Sequence, residues 1–147
     1  MAVVEVCREV AAGQQRVWDT VTDWPAHARW IPLTTVRTDP GEPRVGWSFA
    51  GRTGVGPLRF TDSMILTDWD PPHRFRVVKT GRVLAGWAVV TVEPAGPDCS
   101  TLRWREEIVP RPVALGRRLA PLADRATRWI FVRTVDGVVA DATRSAA

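Results

Sequence analysis

Three charged residues fall on strand faces that are otherwise apolar. Asp62 lies between Phe60 and Met64, Glu106 between Trp104 and Ile108, and Arg8 between Val6 and Val10. Alternate residues of a strand share a face, so unbroken alternation turns all three inward. A buried charge is costly unless it is paired. Two readings stand side by side. In the first, Arg8 neutralises Glu106 or Asp62 in a structural pair, or a β-bulge turns one of them outward. In the second, the two carboxylates line a cavity, where they meet a ligand's polar end or act as acid or base with a raised pKa.

The apolar wall of such a cavity would come from Trp47, Phe49, Phe60, Met64, Phe75, Trp104 and Trp129, with Trp30 at its edge. Each aromatic ring can bury roughly 150–250 Å². The stretch RVWDTVTDWPAHARWIP spaces Trp18, Trp24 and Trp30 six residues apart. Trp18 falls on the inner face of a short helix and reads as core. Trp24 would plug a corner between two helices. Trp30 is either packing or pocket wall. Trp87 is a further candidate for the wall, its face left open because its strand is apolar on both sides.

Other chemistry finds little support. Gly51, Gly54 and Gly56 are followed by no Lys-Ser/Thr and by no helix, so they read as a hairpin turn and not a phosphate loop. His27 is expected on a short surface helix and His73 in a turn, each without the Cys or acidic partners of a metal site. No G-x-S-x-G stands in the chain, and it contains no tyrosine, so no phenolic acid is available. No cofactor is expected. The net charge is +4, but the basic residues are nearly all arginine and lie along the whole chain among 16 acids. No cluster or reading motif accompanies them, so a nucleic-acid partner is not expected. Cys7 and Cys99 form no C-x-x-C. Without an apolar run of about 18 residues or a basic-then-apolar leader, a cytoplasmic protein with two reduced thiols and no membrane insertion is expected.

The elements that must position these residues follow from periodicity. Val4, Val6 and Val10 alternate with Glu5 and Glu9 in a first strand over 3–10. Val17, Trp18 and Val21 recur at helical spacing over about 14–22. Asp23 can cap a second short helix, opened by Pro25 and ending near Trp30 before Pro32. A β-meander of about six strands fills 34–109. Within it Leu58, Phe60, Asp62, Met64 and Leu66 share the core face, and DWDPPH at 68–73 turns the chain. The segment 112–143 is helical by the spacing of Leu115, Leu119 and Leu122 and of Val135, Val138 and Ala142. Pro121 should kink or divide that helix, and Gly137 should weaken it by roughly 1 kcal/mol relative to alanine. An antiparallel sheet with one apolar face needs a cover, and only this helix is long enough.

This order resembles the START/Bet v 1-like (SRPBCC) superfamily, also called polyketide cyclase/dehydrase-like. The resemblance runs the length of the chain. It rests on V-W-x-x-V-x-D-W at Val17 to Trp24, H-x-x-W-x-P at His27 to Pro32, G-x-G-x-x-x-F-x-D at the Gly54 to Asp62 hairpin, W-D-P-P at Trp69 to Pro72, and the closing helix. It implies an α+β helix-grip fold: a curved antiparallel β-sheet wrapped around a long C-terminal helix, with two short helices after the first strand. It also implies one domain over 1–147 and an internal cavity. The expected function is binding of a hydrophobic or aromatic small molecule that is lipid-, quinone- or polyketide-like. A cyclase or dehydratase using Asp62 or Glu106 as acid/base is the alternative, and a lipid or quinone carrier, or an interaction module, the third. Fold alone does not decide among them. The oligomeric state is left open.

Overall fold

The structure, a computed structural model, describes residues 3–144. Strand β1 (Val3–Val10) is followed by helix α1 (Gln14–Val21) and the single turn of α2 (Trp24–His27). The chain then runs through β2 (Thr34–Thr38), β3 (Ser48–Thr53), β4 (Phe60–Asp70), β5 (Arg74–Lys79), β6 (Leu84–Pro94) and β7 (Ser100–Pro110), and closes with α3 (Val113–Arg144). The seven strands form one antiparallel sheet in the order β1-β7-β6-β5-β4-β3-β2. The sheet curves around α3, so this is the helix-grip fold.

One apolar face drives the arrangement. Val6 and Val10 of β1, Leu66 of β4, Phe75 and Val77 of β5, and Val90, Val92 and Leu102 of β6 and β7 are all buried. They meet Phe131, Val135, Val138 and Ala142 of α3. The α3 residues recur every three or four positions and so present one stripe to the sheet.

Several local expectations need correction. Strand β4 begins at Phe60, and Leu58 belongs to a 3-10 turn (Gly56–Leu58) where it is 84% exposed. Strand β4 also runs on to Asp70, so the turn is confined to 71–73. Register against β5 shifts between Leu66 and Asp68. The extra residue, Thr67, reverses the alternation, so Trp69 rather than Asp68 joins Leu66 and Phe75 on the buried face. Asp23 gives no side-chain cap; its backbone carbonyl accepts from Ala26 N at 3.0 Å. Helix α2 starts at Trp24 and is over by His27, short of Trp30. Pro121 lies inside α3 and does not divide it; it sits on an exposed face, where one lost backbone hydrogen bond leaves the packing stripe intact. The side chain of Leu115 lies outside the described residues.

Gly137 has a different role from the one its helix propensity suggests. A Cβ there would stand 2.5 Å from the ring atoms of Trp30. The missing side chain lets that indole lie on the helix, where Arg133 Nε donates to the Trp30 carbonyl at 2.8 Å.

The register gives the molecule two unlike ends. At one lie the β2–β3, β4–β5 and β6–β7 turns, and here Gln14 of α1 is hydrogen-bonded to His73 and to the Val92 carbonyl. At the other lie the loops α2–β2, β3–β4 and β5–β6 and the β7–α3 junction. Here Thr34 pairs with Thr53, Thr53 with Phe60, and Leu84 with Pro110.

Candidate functional site

A cavity of about 480 Å³ lies between the sheet and α3. Its floor is aromatic: Trp24, Phe49 and Phe75. Its sides carry Val36, Met64, Val77, Ala88, Trp104 and Phe131. It reaches the strand ends at Phe60 and Leu84, where Phe60 is 37% exposed, and opens there.

The charges of this cavity form one cluster. Lys79 Nζ lies 2.5 Å from Asp62 Oδ2 and 3.3 Å from Glu106 Oε1, with Met64 Sδ at 3.8 Å. The backbone explains how three strands share one ammonium. On β5, Phe75, Val77 and Lys79 alternate onto the inner face, and Lys79 pairs opposite Met64, one inward step from Asp62. Toward Glu106 it must cross β6, whose residues along this path are Gly86 and Ala88. Gly86 has φ +127°, and a Cβ there would meet the Glu107 carbonyl oxygen, so only glycine fits. The lysine stem therefore has a lane over β6.

Burial alone would depress the Lys79 pKa, but Glu106 and Asp62 outweigh it and leave the ammonium held above its usual value. The Glu106 carboxyl is pushed up, first by burial and then by Asp62, against the opposing pull of Lys79. The Trp104 indole N–H lies near enough to favour the carboxylate but completes no hydrogen bond. Asp62 Oδ1 is buried without a partner. Two carboxyls and one ammonium leave an excess negative charge unless Glu106 holds a proton. In its protonated form Glu106 is a hydrogen-bond donor beside an ammonium, inside an apolar chamber.

His27 also lines the cavity and is only 7% exposed. This corrects the surface position expected for it. Its Nε2 donates to the Val21 carbonyl at 2.9 Å, which leaves Nδ1 as the accepting nitrogen. Burial lowers its pKa to about 4, so the ring is neutral. Its centroid is 5.4 Å from Trp30 and 6.0 Å from Trp104.

Of the residues read as site from sequence, Phe49, Phe60, Asp62, Met64, Phe75, Trp104 and Glu106 line the cavity. Three others do not. Trp47 is buried behind Trp24, with ring centroids 5.3 Å apart. Trp30 lies against α3 at Gly137. Trp129 is 55% exposed on the helix exterior, under the Arg133 guanidinium. Arg8 is not the counter-ion. Strand β1 is an edge strand beside the helix, and Arg8 Nε pairs with Asp136 Oδ1 of α3 at 3.4 Å, partly in solvent. Trp87 pairs with Val78 and Glu107 on the outer face.

Sequence reading missed Lys79 and His27, yet both left signals. Lys79 is the only lysine and follows Phe75 and Val77 at alternate positions. His27 stands three residues after the buried Trp24, on the same side of a helix turn. Among the described residues no group of three or more His, Cys, Asp or Glu could hold a metal ion. No helix among them is long and apolar enough to cross a membrane.

Fold and site together define a helix-grip protein whose apolar internal cavity carries one charged cluster. The chain belongs to the polyketide cyclase / dehydrase and lipid transport family, whose model matches residues 1–143. This places it in the START/Bet v 1-like (SRPBCC) superfamily. Among solved structures it is similar to the Zhui aromatase/cyclase from Streptomyces sp. R1128, with TM-score 0.80, 15% identity, and coverage of 99% of this chain and 96% of that one. It is also similar to norcoclaurine synthase from Thalictrum flavum, with TM-score 0.72, 18% identity, and coverage of 99% and 96%. A protein from Thermus thermophilus gives TM-score 0.80 at 12% identity, with coverage of 99% and 100%. Comparison with curated proteins finds no match.

Proposed function

We propose that the protein binds a hydrophobic or aromatic small molecule, lipid-, quinone- or polyketide-like, in this cavity. The ligand's polar end meets the Asp62–Lys79–Glu106 cluster. One observation carries the reading: a chamber of about 480 Å³, apolar on nearly every side, gathers its charges at a single place. That is the usual design of a small-molecule pocket, in which apolar walls supply affinity and a few polar groups fix orientation. The family description, polyketide cyclase / dehydrase and lipid transport, agrees with it.

A second reading is favoured by Glu106. Its raised pKa, caused first by burial, favours the protonated form that a general acid needs. A cyclase or dehydratase would use such a group to protonate a carbonyl or a departing hydroxyl, with the neighbouring carboxylate Asp62 accepting a proton.

Native mass spectrometry followed by denaturing extraction tests the first reading. A stoichiometric apolar compound is expected, or saturable binding of a fluorescent apolar probe. Glu106→Gln should weaken ligand binding by about 2- to 10-fold, the net contribution of a hydrogen bond from a neutral carboxyl, and leave cooperative unfolding in place. A clean mass together with no probe binding would sink the proposal. An extracted compound that is converted on incubation with the wild type, but not with Glu106→Gln, would favour the enzyme.

A further inference from the structure

The segments around the cavity mouth share a composition that is scattered in sequence and gathered by the fold. Residues 30–33, 51–61, 80–86 and 108–123 contain no Asp or Glu. They hold Arg52, Arg59, Arg82, Arg111, Arg117 and Arg118. The chain's formal net charge is +4, so these six arginines leave the remainder at −2. This corrects the expectation that the basic residues form no cluster. All six are exposed, and Arg52, Arg59 and Arg82 are in no ion pair among the described residues. Strand pairing brings the segments together: Thr53 sits opposite Phe60, Thr80 N donates to Ser63 O, and Arg111 N donates to Val83 O.

Two further features lie on the same rim. Leu33, Val55, Leu58 and Val83 stand exposed at the tips of three separate loops, and Leu119 and Leu122 in the first turns of α3. Beside them is a polar groove of about 470 Å³ lined by Arg52, Arg59 and Arg82 with the hydroxyls of Thr61, Ser63 and Thr80. Phe60 lines both this groove and the cavity.

We infer that the mouth end docks on an anionic lipid bilayer, with phosphate headgroups at the Arg52–Arg59–Arg82 groove and the aliphatic loop tips in the interfacial layer. Guanidinium groups pair with phosphate bidentately, and basic residues near an anionic leaflet are drawn to it. The aliphatic tips choose the partner. A protein interface presents a contiguous, complementary patch. Single side chains as exposed as Leu33, Leu58 and Leu122 (68%, 84% and 68%), spread around an opening, match insertion at several points into a fluid layer. Docked in this way, the cavity opens toward the bilayer, and its ligand would be a molecule that partitions there. That last step rests on the proposed binding function; the docking does not.

Flotation of the full chain with vesicles tests this. Binding is expected to phosphatidylcholine vesicles containing phosphatidylglycerol, not to phosphatidylcholine alone, and to fall with added salt. Each basic side chain near such a surface is worth about fivefold in partition, so the triple change Arg52→Ala, Arg59→Ala, Arg82→Ala should weaken binding on the order of 100-fold. The pair Leu33→Ser and Leu58→Ser should weaken it as well, with circular dichroism unchanged for both variants. No binding to anionic vesicles at low salt, or equal binding to neutral ones, overturns the inference. So does full competition by polyglutamate with no effect of the leucine changes, which would mark an acidic macromolecule as the partner. The apolar probe is titrated in the same samples: docking without probe binding removes the cavity reading and keeps this surface, and probe binding without docking does the reverse.

Discussion

The two ends of the sheet are built on opposite plans. At the turn end, rings interlock: Trp24 stacks on Phe49 at 4.6 Å, and it meets Trp47 at 5.3 Å and Phe75 at 5.5 Å. Trp18 closes on Trp69 at 5.1 Å and on Phe75 at 5.7 Å. At the mouth end the exposed apolar side chains are mostly aliphatic and stand on separate loops, with Phe60 the aromatic among them, and the charge of the flanking segments is of one sign. The difference separates two jobs. Close-packed aromatic contacts hold the grip shut at one end, so the other can stay open without loss of the fold. Stability in a folded chain is uneven in just this way, with functional rims drawn from the weaker end.

The strongest way to break this contrast is at the ring touching most of the others. Trp24→Ala removes a side chain that is 4% exposed and forms the floor of the cavity. Loss of a buried tryptophan costs about 3–5 kcal/mol, and urea denaturation should show it as a lower midpoint at nearly constant slope. A change below about 1 kcal/mol would mean that the turn end is not the anchor.

How much of this was legible in the sequence follows the range of each signal. Alternation and helical spacing are local, so β1, α1, most of the meander and the closing helix could be read directly. Asp62 and Glu106 were placed on the inner face by alternation alone. Their partner was not, because Lys79 meets them only once β4, β5, β6 and β7 lie side by side. Alternation puts Arg8 on the same face as the two carboxylates, but it sits on an edge strand beside Asp136. Trp47 was given the correct face yet stops short of the cavity, since Trp24 from another element covers it. The bulge at Thr67 left no local mark. The basic mouth is the clearest non-local case: segments from residue 52 to residue 111 come together only through the register of strand ends.

The next largest effect tests whether His27 belongs to the closed or the open plan. Its pKa is lowered from 6.5 to about 4 by burial. The unfolded chain takes up this proton near pH 6.5, while the folded chain resists until about 4. The stability associated with the neutral ring is therefore fully present above 6.5 and is lost as pH falls toward 4. A shift of this size corresponds to about 3 kcal/mol across that window. His27→Gln keeps a donor for the Val21 carbonyl and removes the titration. The difference in unfolding free energy between wild type and variant should therefore slope between pH 6.5 and 4 and be flat above. A flat difference throughout would place the ring in contact with water, on the open side of the comparison.

The smallest effect on stability belongs to the mouth. Leu58 follows Val55, whose carbonyl accepts from Leu58 N at 3.1 Å, and its side chain stands in solvent. Leu58→Ser deletes no buried surface and touches no backbone partner. The unfolding free energy should stay within about 0.5 kcal/mol of wild type, the range of ordinary surface changes. Yet the same substitution removes one of the aliphatic tips from a rim that is otherwise arginine and loop. A single variant thus separates what the two ends are for. Unchanged unfolding with weaker vesicle binding keeps the mouth as a surface tuned for contact. A loss of more than about 1 kcal/mol would show instead that the β3–β4 loop supports the fold, and the contrast between the ends would disappear.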